Sequence, residues 1–172
     1  MSEPIKTQRR LGRGMIYLAW IAALGLVWLG FEYQFRNAYD PNRNLSIQPG
    51  QTELELKRSR GGHYIAPGTI NGQEVRFLVD TGATMVSVPA RLADELGLVP
   101  GGSARVTTAN GTVTVRSTRI DELRFGPFTV TNAPAHLNPG MHQDEILLGM
   151  SVLRHLEFTQ RGDTLILRPQ TP

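Results

Sequence analysis

The stretch Val75-Arg76-Phe77-Leu78-Val79-Asp80-Thr81-Gly82-Ala83-Thr84-Met85-Val86-Ser87-Val88-Pro89 decides how this chain is read. An apolar run from Val75 to Val79, broken only by Arg76, is the pattern of a buried strand, and it ends on a carboxylate. Small, turn-forming residues follow at once, so Asp80 stands at the mouth of a sheet. Gly82 lets the backbone turn there and leaves room for a ligand. Asp-Thr-Gly alone is also an ordinary strand-ending turn. The longer DTGAT preceded by FLV is far more specific.

Outward from this stretch the signals are mostly strands and tight turns. Asn71-Gly72 is the preferred two-residue hairpin turn and leads directly into the strand ending at Asp80. Before it, Tyr64 to Ile70 reads as a strand interrupted at Pro67-Gly68, which suggests a bulge or an edge. Earlier still, Leu54 and Leu56 alternate with charged neighbours. Pro89 to Leu96 is a helix candidate, with Leu92 and Leu96 on one face and Gly97 as its stop. Arg105 to Ala109 and the alternating Val113 and Val115 flank a second hairpin turn, Asn110-Gly111. Leu123 to Val130 and Leu165 to Leu167 supply further strands, and Ser151 to His155 a short helix. The class is mainly β, a closed or folded-over sheet with two small helices, over residues 52–172. No internal repeat supplies a second copy of the Asp80 motif.

The N-terminus is of another kind. Met15 to Phe31 is 17 residues without a charge, a transmembrane anchor at the short end of spanning length. Trp20, Trp28, Tyr17 and Tyr33 suit its interfaces. A cleaved signal peptide is the competing reading. Bulky Trp28, Phe31, Tyr33 and Phe35 stand where small residues are needed for cleavage, which favours an uncleaved anchor. Lys6, Arg9, Arg10 and Arg13 precede the anchor, and Arg36 and Arg43 follow it. The positive-inside rule then puts residues 1–14 in the cytoplasm as a basic tail and the folded domain across the inner membrane, on the periplasmic or extracytoplasmic side. Residues 32–51, rich in Asn, Pro, Gly and Arg, read as a linker.

The formal charge of +3 belongs wholly to this region. Residues 1–43 hold six Lys/Arg against three Asp/Glu, whereas residues 44–172 hold twelve of each. The pI near 9.7 therefore says little about the domain, and no basic stripe points to nucleic acid. Zero cysteines exclude disulfides, zinc-thiolate sites and a Cys nucleophile. His136 and His142 fall in a Pro/Gly-rich loop and read as solvated, while His63 and His155 have no obvious Ser or Asp partner. G-x-S-x-G and H-E-x-x-H are both absent, so the commonest serine- and zinc-hydrolase classes drop out, and no metal site or cofactor is expected. Arg161-Gly162-Asp163 reads as a hairpin turn.

Four pieces, in order, resemble the retropepsin-like aspartic proteases, specifically the membrane-anchored bacterial type. They are His63 to Thr84 with its single DTGA, the TTANG stretch Thr107 to Gly111, Leu147-Leu148-Gly149 with the following MSVLRHLEF, and the closing hairpin. The resemblance implies a closed β-barrel equal to half of an acid protease, preceded here by the transmembrane helix. It implies that Asp80 is catalytic, supported by Thr81, Gly82, Ala83, Leu147, Leu148 and Gly149. Thr108, Ala109, Asn110 and Gly111 would form a flap over the substrate. Met150 departs from the Arg or Asn that viral members commonly carry after this glycine.

Peptide hydrolysis by this class needs two carboxylates sharing one proton. Asp94, Asp121, Asp144 and Asp163 lie in other contexts, and none is followed by Thr-Gly or Ser-Gly. The second carboxylate must then be Asp80 of another copy, so the expected partners are a homodimer, a peptide or protein substrate, and the membrane through residues 15–31. The other reading is a membrane-tethered peptide-binding module of the same fold with little or no hydrolysis.

Overall fold

The structure is a computed structural model that describes residues 4–108 and 111–170, without the side chains of 4–13, 36 and 37. It divides into two compact units, residues 1–38 and 39–172. The first is almost all one helix, α1 (Pro4–Tyr39). Within it, Gly14–Phe35 is 22 residues long, apolar enough to cross a membrane, and has no buried residue. Bare Leu, Ile and Trp side chains on every face of a helix suit lipid rather than water.

The second unit holds ten strands. They are β1 (Leu54–Lys57), β2 (Ile65–Ile70), β3 (Gln73–Val79), β4 (Val86–Pro89), β5 (Ser103–Thr108), β6 (Gly111–Phe125), β7 (Phe128–Asn138), β8 (Ile146–Leu148), β9 (Leu156–Arg161) and β10 (Thr164–Pro169). A short helix, α2 (Met150–Leu153), follows β8. β2, β3, β8, β4, β7 and β6 are hydrogen-bonded in that order, and β6 pairs back onto β2 through Gly68↔Phe125 to Ile70↔Leu123. Six strands thus close a barrel, as the family resemblance implies, and β5 hangs from the part of β6 that projects beyond it. β1, β10 and β9 form a separate antiparallel sheet.

The barrel closes around large apolar side chains. Phe77, Phe125, Ile70, Ile120, Leu123, Ile146 and Leu148 are fully buried, and the rings of Phe77 and Phe125 meet edge-on at 5.7 Å between centroids. Gly68 belongs to this packing. A Cβ there would stand 2.3 Å from Arg124 O and 2.7 Å from the Phe77 ring. Pro67 and Gly68 cause no bulge: β2 pairs with β3 along its whole length, while β6 joins it only from Gly68 onward. Pro67, which has no N–H to give, sits on the open part of that side.

Three local expectations change. Pro89 to Leu96 does not form a regular helix. Pro89 ends β4 beside Asn138, and one 3-10 turn (Ala90–Leu92) is followed by irregular turns. Burial of Ala93, Leu96 and Leu98 outweighs the helical pattern there. Leu123 to Val130 is a hairpin turning at Gly126-Pro127, and both of its strands run well beyond that segment. His136 lies on β7, half-buried between Ser87 of β4 and Ser117 of β6, rather than in a solvated loop.

Residues 40–51, for all their lack of periodicity, belong to the second unit. Asn42 is buried. It donates to Lys57 O at 2.8 Å and to Ile65 O at 2.7 Å, and accepts from Lys57 N at 2.8 Å. Asp40 pairs with Arg76 at 2.9 Å.

Candidate active site

β3 and β8 run parallel, with Val79 beside Leu148, so the chain leaves the barrel at two adjacent points, Asp80 and Gly149. The backbone of the first is held firmly. Val79 N donates to Tyr64 O at 2.9 Å and Asp80 N to Leu148 O at 3.1 Å. Beyond Asp80 the chain makes a tight turn: Ala83 N reaches Asp80 O at 3.3 Å, and Gly82 N donates to Asp80 Oδ1 at 2.9 Å. The carboxylate is half-buried, and its second oxygen takes no hydrogen bond among the described residues. Thr81, Gly82 and Thr84 are exposed and Ala83 is half-buried.

The loop between Asp80 and β4 is tied to the start of α2. Met150 N donates to Ala83 O at 2.8 Å, and Ser151 N to Thr84 O at 2.9 Å. This contact requires Gly149. A Cβ on it would lie 2.3 Å from Met85 O and 2.7 Å from Ala83 O, both backbone atoms that cannot swing aside. Leu148 is fully buried, and Leu147 is half-buried between Leu78 and Ser87. Asp80, Thr81, Gly82, Ala83, Leu147, Leu148 and Gly149 therefore form one contiguous unit.

Two supports were not legible in the sequence. Ser151 Oγ accepts from Val86 N at 3.1 Å and donates to Pro134 O at 3.2 Å, joining β4, α2 and β7 beneath the loop. It provides a polar tie one residue after Met150. Arg91 donates to Met141 O at 2.9 Å and Gln143 O at 2.7 Å and pairs with Asp144, clamping the loop that leads into β8. Its partners lie 50 or more residues away, so no local pattern marks it.

β5 and β6 form a hairpin from Ser103↔Arg116 to Thr108↔Gly111, and Thr108 Oγ1 donates to Gly111 O at 2.8 Å. Gly111 has φ +107, which favours glycine. Ala109 and Asn110, expected at the tip, lie outside the described residues. A cavity of about 970 Å³ bounded by Asp40, Arg43, Pro67, Arg76, Glu95 and Arg124 includes neither Asp80 nor its loop. Among the described residues, no group of three or more His, Asp or Glu side chains could hold a metal.

Residues 66–155 match the family model described as "gag-polyprotein putative aspartyl protease", a span from β2 to the end of α2 that contains Asp80 and Gly149. An uncharacterized protein in the cobV 5′ region of Sinorhizobium sp is 30% identical over 180 residues, covering 95% of this chain and 77% of that protein. An uncharacterized protein of Rickettsia prowazekii (strain Madrid E) is 27% identical, covering 94% and 74% respectively. Among solved structures, a retropepsin-like aspartic protease from Rickettsia conorii superposes with a TM-score of 0.55 at 27% identity. The match covers 68% of this chain and 90% of that one.

Proposed function

Because this chain belongs to the gag-polyprotein aspartyl protease family and has a retropepsin-like fold, we propose that it is a membrane-anchored aspartic endopeptidase whose active site is shared by two copies. One observation carries the reading. A single Asp-Thr-Gly supplies one carboxylate, with one oxygen uncommitted among the described residues, at a strand end closely backed by Gly149. Two such carboxylates brought together cannot both ionise, so one keeps its proton while the other is a base. The base takes a proton from water, the water oxygen attacks the scissile carbonyl, and the acid protonates the carbonyl oxygen; the carboxylates then exchange roles, one taking a hydroxyl proton from the diol as C=O re-forms and the other giving its proton to the nitrogen as the C–N bond breaks. The proton belongs to the pair as a unit.

Thr81 would steady the pair across the two-fold axis. The β5–β6 hairpin, with Thr108, Ala109, Asn110 and Gly111 at its end, would close over an extended peptide and exclude water. The apolar helix would hold residues 15–31 in the inner membrane, with residues 1–14 cytoplasmic and the domain from residue 52 periplasmic or extracytoplasmic, as the four leading cations favour. No cofactor is needed.

The test is Asp80→Asn in the full-length chain in detergent, assayed on a quenched-fluorescence peptide library. Cleavage should fall at least ~10³-fold, since the dyad loses its base. Hydrolysis at the wild-type rate would refute the assignment. A wild-type chain that binds peptides but cleaves none would instead establish the tethered binding module.

A further inference from the structure

Each barrel strand turns alternate residues into the core, and the residues between them face outwards. Beside the buried Phe77, Ile146, Val86 and Ala135, the register sets one continuous outer row. Leu78 of β3 stands beside Leu147 of β8, Leu147 beside Ser87 of β4, Ser87 beside His136 of β7, and His136 beside Ser117 of β6. Registered partners point to the same side of a sheet, so these side chains form one strip across five strands. The strip starts two residues before Asp80. Asp80 N still bonds Leu148 O, which prolongs the ladder, and the two-residue period puts Asp80 on the same face as Leu78. The far end, Ser117, adjoins the base of the β5–β6 hairpin at Ser103↔Arg116.

His136 is the one titratable side chain of the strip, and it is unengaged. Both hydroxyls beside it are in use: Ser87 Oγ donates to Met141 Sδ at 3.3 Å and Ser117 Oγ to Gly102 O at 3.2 Å. The half-buried imidazole has no hydrogen bond or ion pair among the described residues, and its nitrogens stay accessible from outside the barrel. Charged groups on the surrounding elements are turned elsewhere. β4 and α2 carry none, and neither does β7 itself. On β6, Arg116 Nε donates to Gly101 O and Arg119 to Asn132 O, each at 3.1 Å. In the loop after β7, Asp144 pairs with Arg91. Burial alone therefore holds the His136 pKa below 6.5.

We infer that His136 is a specificity-determining residue: lying on the face that carries Asp80, it selects an acidic side chain in the peptide that is cleaved. The inference rests on the aspartic protease reading above and names part of its substrate. A carboxylate laid along the strip accepts a hydrogen bond from the ring and, once the ring is protonated, forms an ion pair in a half-buried, otherwise neutral setting. Free carboxylates ionise above about 4.3 and free imidazole loses its proton above about 6.5, so both partners are charged only between those values. An arriving carboxylate raises the depressed pKa of the ring, and binding takes up a proton. The preference is thus greatest under the mildly acidic conditions that suit a dyad holding one proton, and is lost as pH rises. From Leu78 to His136 is three strand spacings, roughly 14 Å at about 4.8 Å each, so at about 3.4 Å per residue the acid lies within about four residues of the scissile bond. Two copies sharing a site bring one His136 each, which places an acid preference on both sides of that bond.

The test uses the full-length chain in detergent and one library peptide, remade with Glu or its isostere Gln at each position in turn. At the selected positions the kcat/KM ratio of Glu to Gln should be about ten-fold at pH 5.5 and under about two-fold at pH 7.5. His136→Gln should bring the ratio at pH 5.5 to within about two-fold of unity. His136→Lys, charged at both values, should keep the preference at pH 7.5. A ratio near unity at every position, one that ignores pH, or one that survives His136→Gln overturns the inference. If either variant fails to fold, the pH dependence of the ratio in the parent chain decides alone. Fluorescence anisotropy of the same peptides on the Asp80→Asn chain should give the same ratio in Kd without any cleavage, which keeps the two readings apart. A flat ratio in a chain whose cleavage needs Asp80 sinks only the acid selection. Undiminished cleavage by Asp80→Asn sinks only the catalytic assignment, and the Kd ratio still decides the role of His136.

Discussion

Replacing Gly149 by Ala tests the central claim about how Asp80 is held. The added Cβ would lie 2.3 Å from Met85 O, 2.6 Å from Met85 C and 2.7 Å from Ala83 O. That is about 1 Å short of ordinary contact, and all three atoms are backbone. Either the loop retreats or α2 does, and both movements stretch the 2.8 Å and 2.9 Å bonds from Met150 N and Ser151 N. Losing two such bonds costs about 1 kcal/mol each. Residual overpacking adds about 1–3 kcal/mol, and Ala returns about 0.5 kcal/mol by stiffening the unfolded chain. The expected loss is therefore about 3 kcal/mol, a large share of the ~5–15 kcal/mol of a typical domain. Cleavage should fall with it, because Asp80 and the displaced loop are one turn. The assay is a urea titration of the full-length chain in detergent, followed by circular dichroism in the β-sheet band. Trp20 and Trp28 both lie on α1 and would not report on the barrel. Gly61→Ala is the control, since its Cβ meets nothing closer than 3.6 Å, and it should stay within about 0.5 kcal/mol of the parent. A Gly149→Ala midpoint indistinguishable from that control would refute the close-packing argument.

Asn42→Ala should cost about 2–3 kcal/mol, because it strands Lys57 N, Lys57 O and Ile65 O together. Faster hydrogen exchange at the Lys57 amide would show it, and unchanged exchange would disprove it. Burial holds the His136 pKa below its ordinary 6.5. The unfolded chain then binds a proton that the folded chain resists, so stability should rise with pH up to about 6.5 and fall below it. His136→Gln should remove that slope from urea midpoints measured across pH 5–7.5. Asp40 has the opposite sign. Burial, only partly offset by Arg76 and Arg43, raises its pKa above 3.8. Its contribution is greatest below that value and is lost as pH rises through the raised one, so Asp40→Asn should flatten a decline on the mildly acidic side.

What sequence alone determined here is whatever depends on local pattern. The apolar run ending at Asp80, the Asn71-Gly72 turn and the alternation at Leu54 and Leu56 follow from side-chain period and turn chemistry, which act over a few residues. They sufficed for the mainly β class, the apolar helix and the carboxylate at a strand end. The DTGAT motif, joined to its distant LLG, sufficed for the family. Pro89 to Leu96 misled because its helical spacing competes with burial of Ala93, Leu96 and Leu98 against the barrel, which no local window contains. His136 read as a loop residue because the strand around it is defined by partners on β4 and β6. Tertiary structure alone decided closure, since the β2–β6 pairing joins residues more than fifty apart. It also decided why residue 149 must be glycine, that Ser151 and Arg91 brace the site, and that Asn42 ties Lys57 to Ile65. Each of these is a contact between segments distant in sequence, and the chain makes them only when the whole barrel buries its core.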